Sequence, residues 1–101
     1  MNKYTYLSDF EINKKVAECL GVEWFVTSTI WDELVVIVNG KHFKPCNKPA
    51  DAMPIIIDNG ISMVRVNNTW SARQFNNHCI EINGDNYYRI AMEVYLLVSG
   101  K

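Results

Sequence analysis

The sequence has few of the residues and runs that mark the common functional classes. Its three cysteines, Cys19, Cys46 and Cys79, are widely and irregularly spaced, and only two histidines accompany them. This pattern does not match a structural zinc site. No apolar run approaches the roughly 18 residues that a membrane span needs. A formal net charge of −1 provides no basic surface for duplex DNA. From these three observations we expect no metal, membrane or duplex nucleic acid among its ligands, and we expect no cofactor.

The composition is that of an ordinary globular protein. The chain has 101 residues, of which 49% are hydrophobic, and this suits a single domain over residues 1–101 with one modest core. No apolar run follows Lys3, so we expect no secretory leader. Together with the odd number of cysteines, this favours buried thiols in a reducing cytoplasm.

The first and last helices have clear signals at their starts. Ser8 and Glu11 stand at the spacing of a capping box, in which each side chain binds the backbone N–H of the other residue. Asp85 or Asn86 is expected to cap the last helix, which covers roughly Tyr87–Val98. This helix is apolar on most of its surface, so we expect it to bury two faces, one against the sheet and one in a homodimer or higher oligomer.

The central stretch, Cys46–Ser62, holds two prolines in a helix-forming context. Pro49 suits the first position of a helix, where its missing N–H is no loss. Pro54 is less favourable, because a proline inside a helix removes a hydrogen bond and clashes with the preceding turn. The sequence therefore predicts a short turn over Pro49–Met53 and a new helical start at Pro54.

Runs of β-branched and aromatic residues between the helices predict short strands. Asn39-Gly40 is the strongest hairpin signal, since both residues tolerate positive φ. The strands are expected at Trp24–Ile30, Leu34–Val38, Lys41–Lys44, Ile61–Val66, Thr69–Phe75 and His78–Ile82. The resulting order, α-ββ(β)-α-ββ(β)-α, indicates an α+β fold in which an antiparallel sheet of about four to six strands packs against three helices.

Four segments carry a resemblance to a known family. They are LSDFEINKKVAE (Leu7–Glu18), CNKPADAMPIIIDNGIS (Cys46–Ser62), Trp70 with Ala72, and NYYRIAMEVYLLV (Asn86–Val98). In this order they resemble the NinX family, small accessory proteins of lambdoid and related phages and of enterobacterial prophages. The stretch Gly21–Lys44 resembles the family least. Because the function of the family is unknown, the resemblance implies a phage origin and the cytoplasm of the infected host, but no catalytic residues.

No catalytic constellation stands out in the sequence. His42 is expected on a hairpin and His78 on a strand, and no nucleophile motif lies near either. Cys46 fits a buried thiol, and Asp32-Glu33 fits a pair of solvated carboxylates. We therefore expect a protein that acts by binding, not an enzyme.

Of the three tryptophans, Trp31 and Trp70 are expected to be partly exposed. Trp31 lies in a polar connection between strands, and Trp70 lies close to Arg73. An exposed aromatic ring beside an arginine can stack a base and pair with a phosphate. The alternative is structural: Trp70 packs on the last helix, and Arg73 pairs with Glu81 or Glu93.

A ligand pocket around Trp70 is the first functional hypothesis. Trp70 and Arg73 are three positions apart, so a regular strand would place them on opposite faces. They converge only if the strand bulges near Ser71-Ala72. Asn47, Lys48 and Asp51 are otherwise turn and cap residues. The predicted pocket consists of Asn47, Lys48, Asp51, Trp70 and Arg73.

Two functions are left open by these observations. The first is a counter-defence protein that binds and sequesters a nucleotide-derived signalling molecule in this pocket, by analogy with other small phage accessory proteins. The second is a protein that binds and inhibits or redirects a host protein through an aromatic and apolar surface. A deep pocket with a polar rim would favour the first function, and an exposed apolar surface would favour the second.

Overall fold

The computed structural model describes residues 3–75 and 79–99, and the six strands there divide into two antiparallel sheets. The sheets have the orders β1-β2-β3 and β4-β5-β6. The α+β fold class with three helices is therefore confirmed, although not as one sheet. The elements are α1 (Asp9–Leu20), β1 (Trp24–Ser28), β2 (Leu34–Val38), β3 (Lys41–His42), α2 (Pro49–Asp58), β4 (Ser62–Val66), β5 (Thr69–Gln74), β6 (Ile80–Gly84) and α3 (Tyr87–Ser99).

Helix α1 begins at the predicted capping box. Glu11 N–H donates to Ser8 Oγ at 3.1 Å, and Ser8 N–H donates to Glu11 Oε1 at 3.3 Å. The helix ends at Gly21, whose φ of 73° lies in the left-handed region that favours glycine. Helix α3 is capped in a similar way, since Arg89 N–H donates to Asn86 Oδ1 at 3.0 Å. The predicted caps of both helices are confirmed, with Asn86 and not Asp85 at α3.

Helix α2 runs through Pro54 without interruption, so the predicted division into a turn and a new helix is wrong. Pro49 is the first residue of the helix, as expected. Pro54 removes the hydrogen bond that the carbonyl of Ala50 would accept. Both residues are exposed, so water can bind that carbonyl and the cost of the proline stays small enough for the helix to continue.

Helix α3 is the centre of the fold. It packs against α1, α2, β5 and β6, and every residue from Ile90 to Leu96 is buried. The close approach of β6 depends on Gly84, because a Cβ atom there would lie 2.7 Å from Ile90 Cγ2. Burial of both helix faces is confirmed. It is achieved within one chain, so the apolar surface of α3 no longer argues for a dimer contact.

The first sheet is buried only along β2. Val35, Val36 and Ile37 are 8% exposed or less. β1, by contrast, is exposed from Phe25 to Ser28 and is half-buried only at Trp24. The sheet order places β1 at an edge. The predicted strand over His78–Ile82 begins instead at Ile80, and His78 lies outside the described residues.

The largely buried guanidinium of Arg89 joins the N-terminal segment to α3. Arg89 Nε donates to Glu93 Oε2 at 2.6 Å, and Nη1 donates to Asp9 Oδ1 at 2.8 Å. Nη2 donates to the backbone carbonyls of Tyr4 at 3.0 Å and Leu7 at 2.7 Å. Burial acts to lower the pKa of Arg89, but the hydrogen bonds to Glu93 and Asp9 outweigh it and raise that pKa. The guanidinium therefore stays charged inside the fold.

The capping box of α1 can be tested by Ser8→Ala. The change removes the acceptor of the Glu11 N–H, and we expect it to lower the free energy of unfolding by about 1 kcal/mol in urea titrations. Lys14→Ala on the exposed side of the same helix is the control, with an expected change below about 0.5 kcal/mol. An unfolding free energy for Ser8→Ala within error of the parent protein would contradict this role.

The Arg89 cluster can be tested by Arg89→Lys, which keeps the charge but loses the planar fork of donors. We expect the free energy of unfolding to fall by about 2–4 kcal/mol, since buried carboxylate and carbonyl groups lose their partners. Arg73→Lys is the matched control, because its 3.5 Å contact with Glu81 is more exposed and should contribute less than about 1 kcal/mol. Equal losses in the two variants would show that the cluster has no special role.

Candidate functional site

The two central members of the predicted pocket lie on opposite faces of the second sheet. β5 pairs with β4 and with β6 in an unbroken register from Thr69 to Gln74. No bulge therefore brings Trp70 and Arg73 to the same side, and the strict alternation of a regular strand separates them. The convergence that the pocket hypothesis requires does not occur in this part of the chain.

Trp70 lies on the face that packs against α3. Its ring meets the ring of Tyr87 edge to face, with centroids 4.8 Å apart. The guanidinium of Arg65, directly opposite on β4, lies 5.1 Å from the Trp70 centroid. Trp70 is half-buried. The structural alternative, in which Trp70 packs on the last helix, is therefore confirmed.

Arg73 is held by groups on the other face of the sheet. Its Nε donates to Ser71 Oγ at 3.0 Å, and its Nη2 lies 3.5 Å from Glu81 Oε2. Ser71 Oγ in turn donates to the same Glu81 oxygen at 2.9 Å. The pairing with Glu81 is the one expected for a structural arginine. An incoming phosphate would have to compete with this carboxylate for the guanidinium.

The remaining three pocket residues lie around the start of α2. Lys48 is the exposed N-cap residue, and its side chain makes no capping hydrogen bond. Asp51 Oδ2 accepts a hydrogen bond from Lys44 N–H at 2.9 Å, which ties the preceding loop to the helix. Asn47 is exposed and lines a small cleft of about 210 Å³ with Asp9 and other residues of α1 and β2. Asp51 therefore has a structural role, and Asn47 and Asp51 line two different clefts.

A larger cleft lies between α2 and the β2–β3 hairpin. Its volume is about 540 Å³, and Phe43, Pro54 and Ile55 are among its apolar walls. Asp51, Asp58, Lys41 and His42 are among its polar lining residues. Apolar walls with a few polar groups suit a small ligand, but two carboxylates beside one lysine disfavour an anionic nucleotide.

The thiol of Cys46 is buried beside the Arg89 cluster. Cys46 N–H donates to Asn13 Oδ1 at 3.0 Å, and its Sγ lies 3.9 Å from the carbonyl of Asp9. The pKa of the Cys46 thiol is raised to about 12, mainly by burial and also by the Asp9 carboxylate, while Arg89 acts in the opposite direction. A thiol with this pKa is protonated at neutral pH, so it is not a nucleophile. The described residues also contain no group of three metal-ligating side chains.

This burial can be tested by alkylation with iodoacetamide near pH 8. We expect the native protein to be modified at the exposed Cys79 but not at Cys46, since the reaction requires an accessible thiolate. Both residues should react after unfolding in urea, and peptide mass spectrometry distinguishes them. Modification of Cys46 in the native protein at the rate of Cys79 would contradict its burial and its raised pKa.

The most exposed large apolar residues lie at the tip of the β1–β2 hairpin. Ile30 is 90% exposed and Trp31 is 83% exposed. Leu34 and Phe25 on the flanking strands are 53% and 59% exposed. We call the segment Thr29–Glu33 the hairpin tip. The predicted exposure of Trp31 is confirmed. The predicted strand over Trp24–Ile30 is too long, because β1 ends at Ser28 and Ile30 lies beyond it.

The hairpin tip is held in one conformation by Thr29. Trp31 N–H and Glu33 N–H donate to Thr29 Oγ1 at 3.2 and 3.3 Å. Asp32 N–H donates to the Thr29 carbonyl at 3.0 Å, and Thr29 N–H donates to the Glu33 carbonyl at 2.9 Å. Asp32 has a φ of 59°, a left-handed conformation that aspartate tolerates better than most residues. The tip therefore presents Ile30 and Trp31 from an ordered turn.

Sequence reasoning identified the exposed Trp31 but did not place it in a site. The signal was available in the polar residues around it: Thr29 can bind backbone groups two to four positions ahead, and Asp32 can adopt positive φ. Together they indicate a structured turn with two large apolar residues at its outer positions.

Among the helices of the described residues, none has the length and apolar character of a membrane span.

Comparison with known proteins places the chain in a family. No curated protein and no solved structure matches it. The family model described as Bacteriophage P22, NinX matches residues 3–99. This range includes α1, α2 and α3 and both sheets, so the match covers the whole architecture and confirms the resemblance found in the sequence. The chain belongs to the NinX family of phage proteins.

Proposed function

We propose that this phage protein acts by binding a protein of the bacterial host through its hairpin tip, and so inhibits or redirects that protein. The observation that carries the proposal is the exposure of Ile30 and Trp31, 90% and 83%, on an ordered turn. Exposed large apolar side chains side by side are unfavourable in water, and a contact that covers them recovers the hydrophobic free energy.

The physical properties of the tip suit a protein partner. Tryptophan is the residue type most enriched at the energetic centres of protein interfaces, where it fills an apolar pocket of the partner. The Thr29 hydrogen bonds hold the backbone in place before binding, so little conformational entropy is lost when the contact forms. Asp32 directly follows the two apolar side chains, whereas Glu33 is ion-paired with Lys44 at 3.8 Å. The complementary surface is therefore an apolar pocket with a basic group placed to meet Asp32.

The ion pair of Arg73 disfavours the competing function. A nucleotide signal is anionic, and the guanidinium expected to bind it is already paired with Glu81. Sequestration of a nucleotide by Asn47, Lys48, Asp51, Trp70 and Arg73 stays a prediction without a shared cleft to support it. Counter-defence remains the biological role that we propose, by analogy with other phage accessory proteins, with a host protein as the target.

The proposal predicts that Trp31→Ala abolishes capture of the host target. Immobilised protein is exposed to host lysate, and bound proteins are quantified by mass spectrometry. Tyr6→Ala is the matched control, because Tyr6 is another aromatic residue with 81% exposure, outside the hairpin. We expect a host protein that the parent and Tyr6→Ala retain equally and that Trp31→Ala retains at least about tenfold less, as for an interface anchor.

The captured protein is then purified and titrated by calorimetry with the parent and with both variants. Trp31→Ala should unfold in urea like the parent, since an exposed side chain contributes little to stability. A lysate in which no protein shows this pattern would contradict the proposal. So would a partner whose affinity is unchanged by Trp31→Ala.

A further inference from the structure

The outer edge of β1 has none of the features that normally protect a sheet edge. Native edges are blunted by charged residues, proline, bulges or very short strands. β1, with the sequence WFVTS, has no charge and no proline, and its register with β2 is unbroken. The other edge strands differ: β3 has two residues, β4 carries Arg65 and β6 carries Glu81. β1 is therefore the one described edge that is open to pairing.

The hydrogen bonds on either side of β2 determine which groups of β1 face outward. Thr29 N–H donates to the Glu33 carbonyl at 2.9 Å, so Thr29 and, by alternation, Thr27 and Phe25 bond toward β2. Phe43 N–H donates to the Val36 carbonyl at 2.8 Å, so Val36 bonds toward β3 and not toward its β1 partner Val26. With this alternation, the backbone N–H and C=O groups of Trp24, Val26 and Ser28 point away from β2, toward the open edge of the sheet.

We propose that two copies of this chain pair antiparallel along β1, with a two-fold axis at Val26. In this register Val26 lies opposite Val26 of the second copy, and Trp24 lies opposite its Ser28. Each of the three opposed pairs has outward N–H and C=O groups on both strands, so each pair can exchange two hydrogen bonds. The two sheets then join into one continuous sheet with the order β3-β2-β1-β1-β2-β3.

The side chains of β1 are compatible with pairing to a second copy. None of the five residues of β1 is charged, so the symmetric pairing opposes no like charges. Phe25, 59% exposed, lies opposite Thr27, and Val26, 38% exposed, lies opposite itself. The flanking Glu23 lies opposite Thr29 and not opposite another carboxylate. Every position of the strand therefore finds a compatible partner in its own copy.

The pairing is independent of the proposed host interaction. It uses the outer edge of β1 and leaves Ile30 and Trp31 of both hairpin tips free, with one tip at each end of the paired strands. A pair of five-residue strands is small beside a standard interface, so we expect a dissociation constant on the order of micromolar. A dimer of this kind would present two copies of Trp31 to a host target.

A charge exchange at the two-fold axis tests the pairing. Val26→Lys and Val26→Glu each place two like charges opposite one another, and each variant should associate at least about tenfold more weakly than the parent. An equimolar mixture of the two variants opposes unlike charges and should recover the dimer. The measurement is sedimentation velocity from about 1 to 100 µM.

The matched control is Val64→Lys. Val64 is a valine in an edge strand of the other sheet with 37% exposure, nearly that of Val26, and its substitution should leave the dimer unchanged. Circular dichroism confirms that each variant is folded. The proposal is overturned by a parent protein that is monomeric at about 100 µM, by a dimer that the Val26 variants leave intact, or by folded variants whose mixture stays monomeric. Loss of host-protein capture alone would not affect it.

Discussion

The fold depends on hydrogen bonds to one largely buried guanidinium. Arg89 lies on the central helix with its side chain 13% exposed, and its donors reach a carboxylate on α3, a carboxylate on α1 and backbone carbonyls before α1. A buried guanidinium that lacked these acceptors would cost several kcal/mol. The start of α1 and the start of α3 therefore occupy one relative position, and Cys46 is enclosed beside them.

The elements that the sequence predicted well are those whose signals are local. The capping box at Ser8, the Asn39-Gly40 turn and the cap at Asn86 each involve residues within four positions of one another, and the structure has all three. The uninterrupted α2 depended on solvent exposure at Ala50 and Pro54. The division into two sheets depended on whether strands pair across α2. Neither feature can be predicted from a short stretch of neighbouring residues in the sequence.

The candidate site illustrates the same limit. Alternation along β5 correctly placed Trp70 and Arg73 on opposite faces, and the predicted pocket required a bulge for which the residues gave only a weak signal. The exposure of Trp31 followed from its polar neighbours. The ordered turn around Trp31 was not predicted, although Thr29, whose side chain accepts hydrogen bonds from backbone groups across the turn, gave a local signal for it. Which backbone groups of β1 point outward could be worked out only from the hydrogen bonds around β2 and β3.

The separation of the hairpin from the core has an evolutionary consequence. Val35, Val36 and Ile37 in the middle of β2 are buried. The residues around the turn differ, since more than half of the surface of each is exposed: Phe25, Ile30, Trp31 and Leu34. Substitutions at such positions change the free energy of unfolding by little. Selection on the surface that meets another molecule can therefore proceed there without opposition from selection on folding. If the hairpin tip binds a host protein as proposed, a change of a few residues in one hairpin alters the target while the Arg89-centred body is kept.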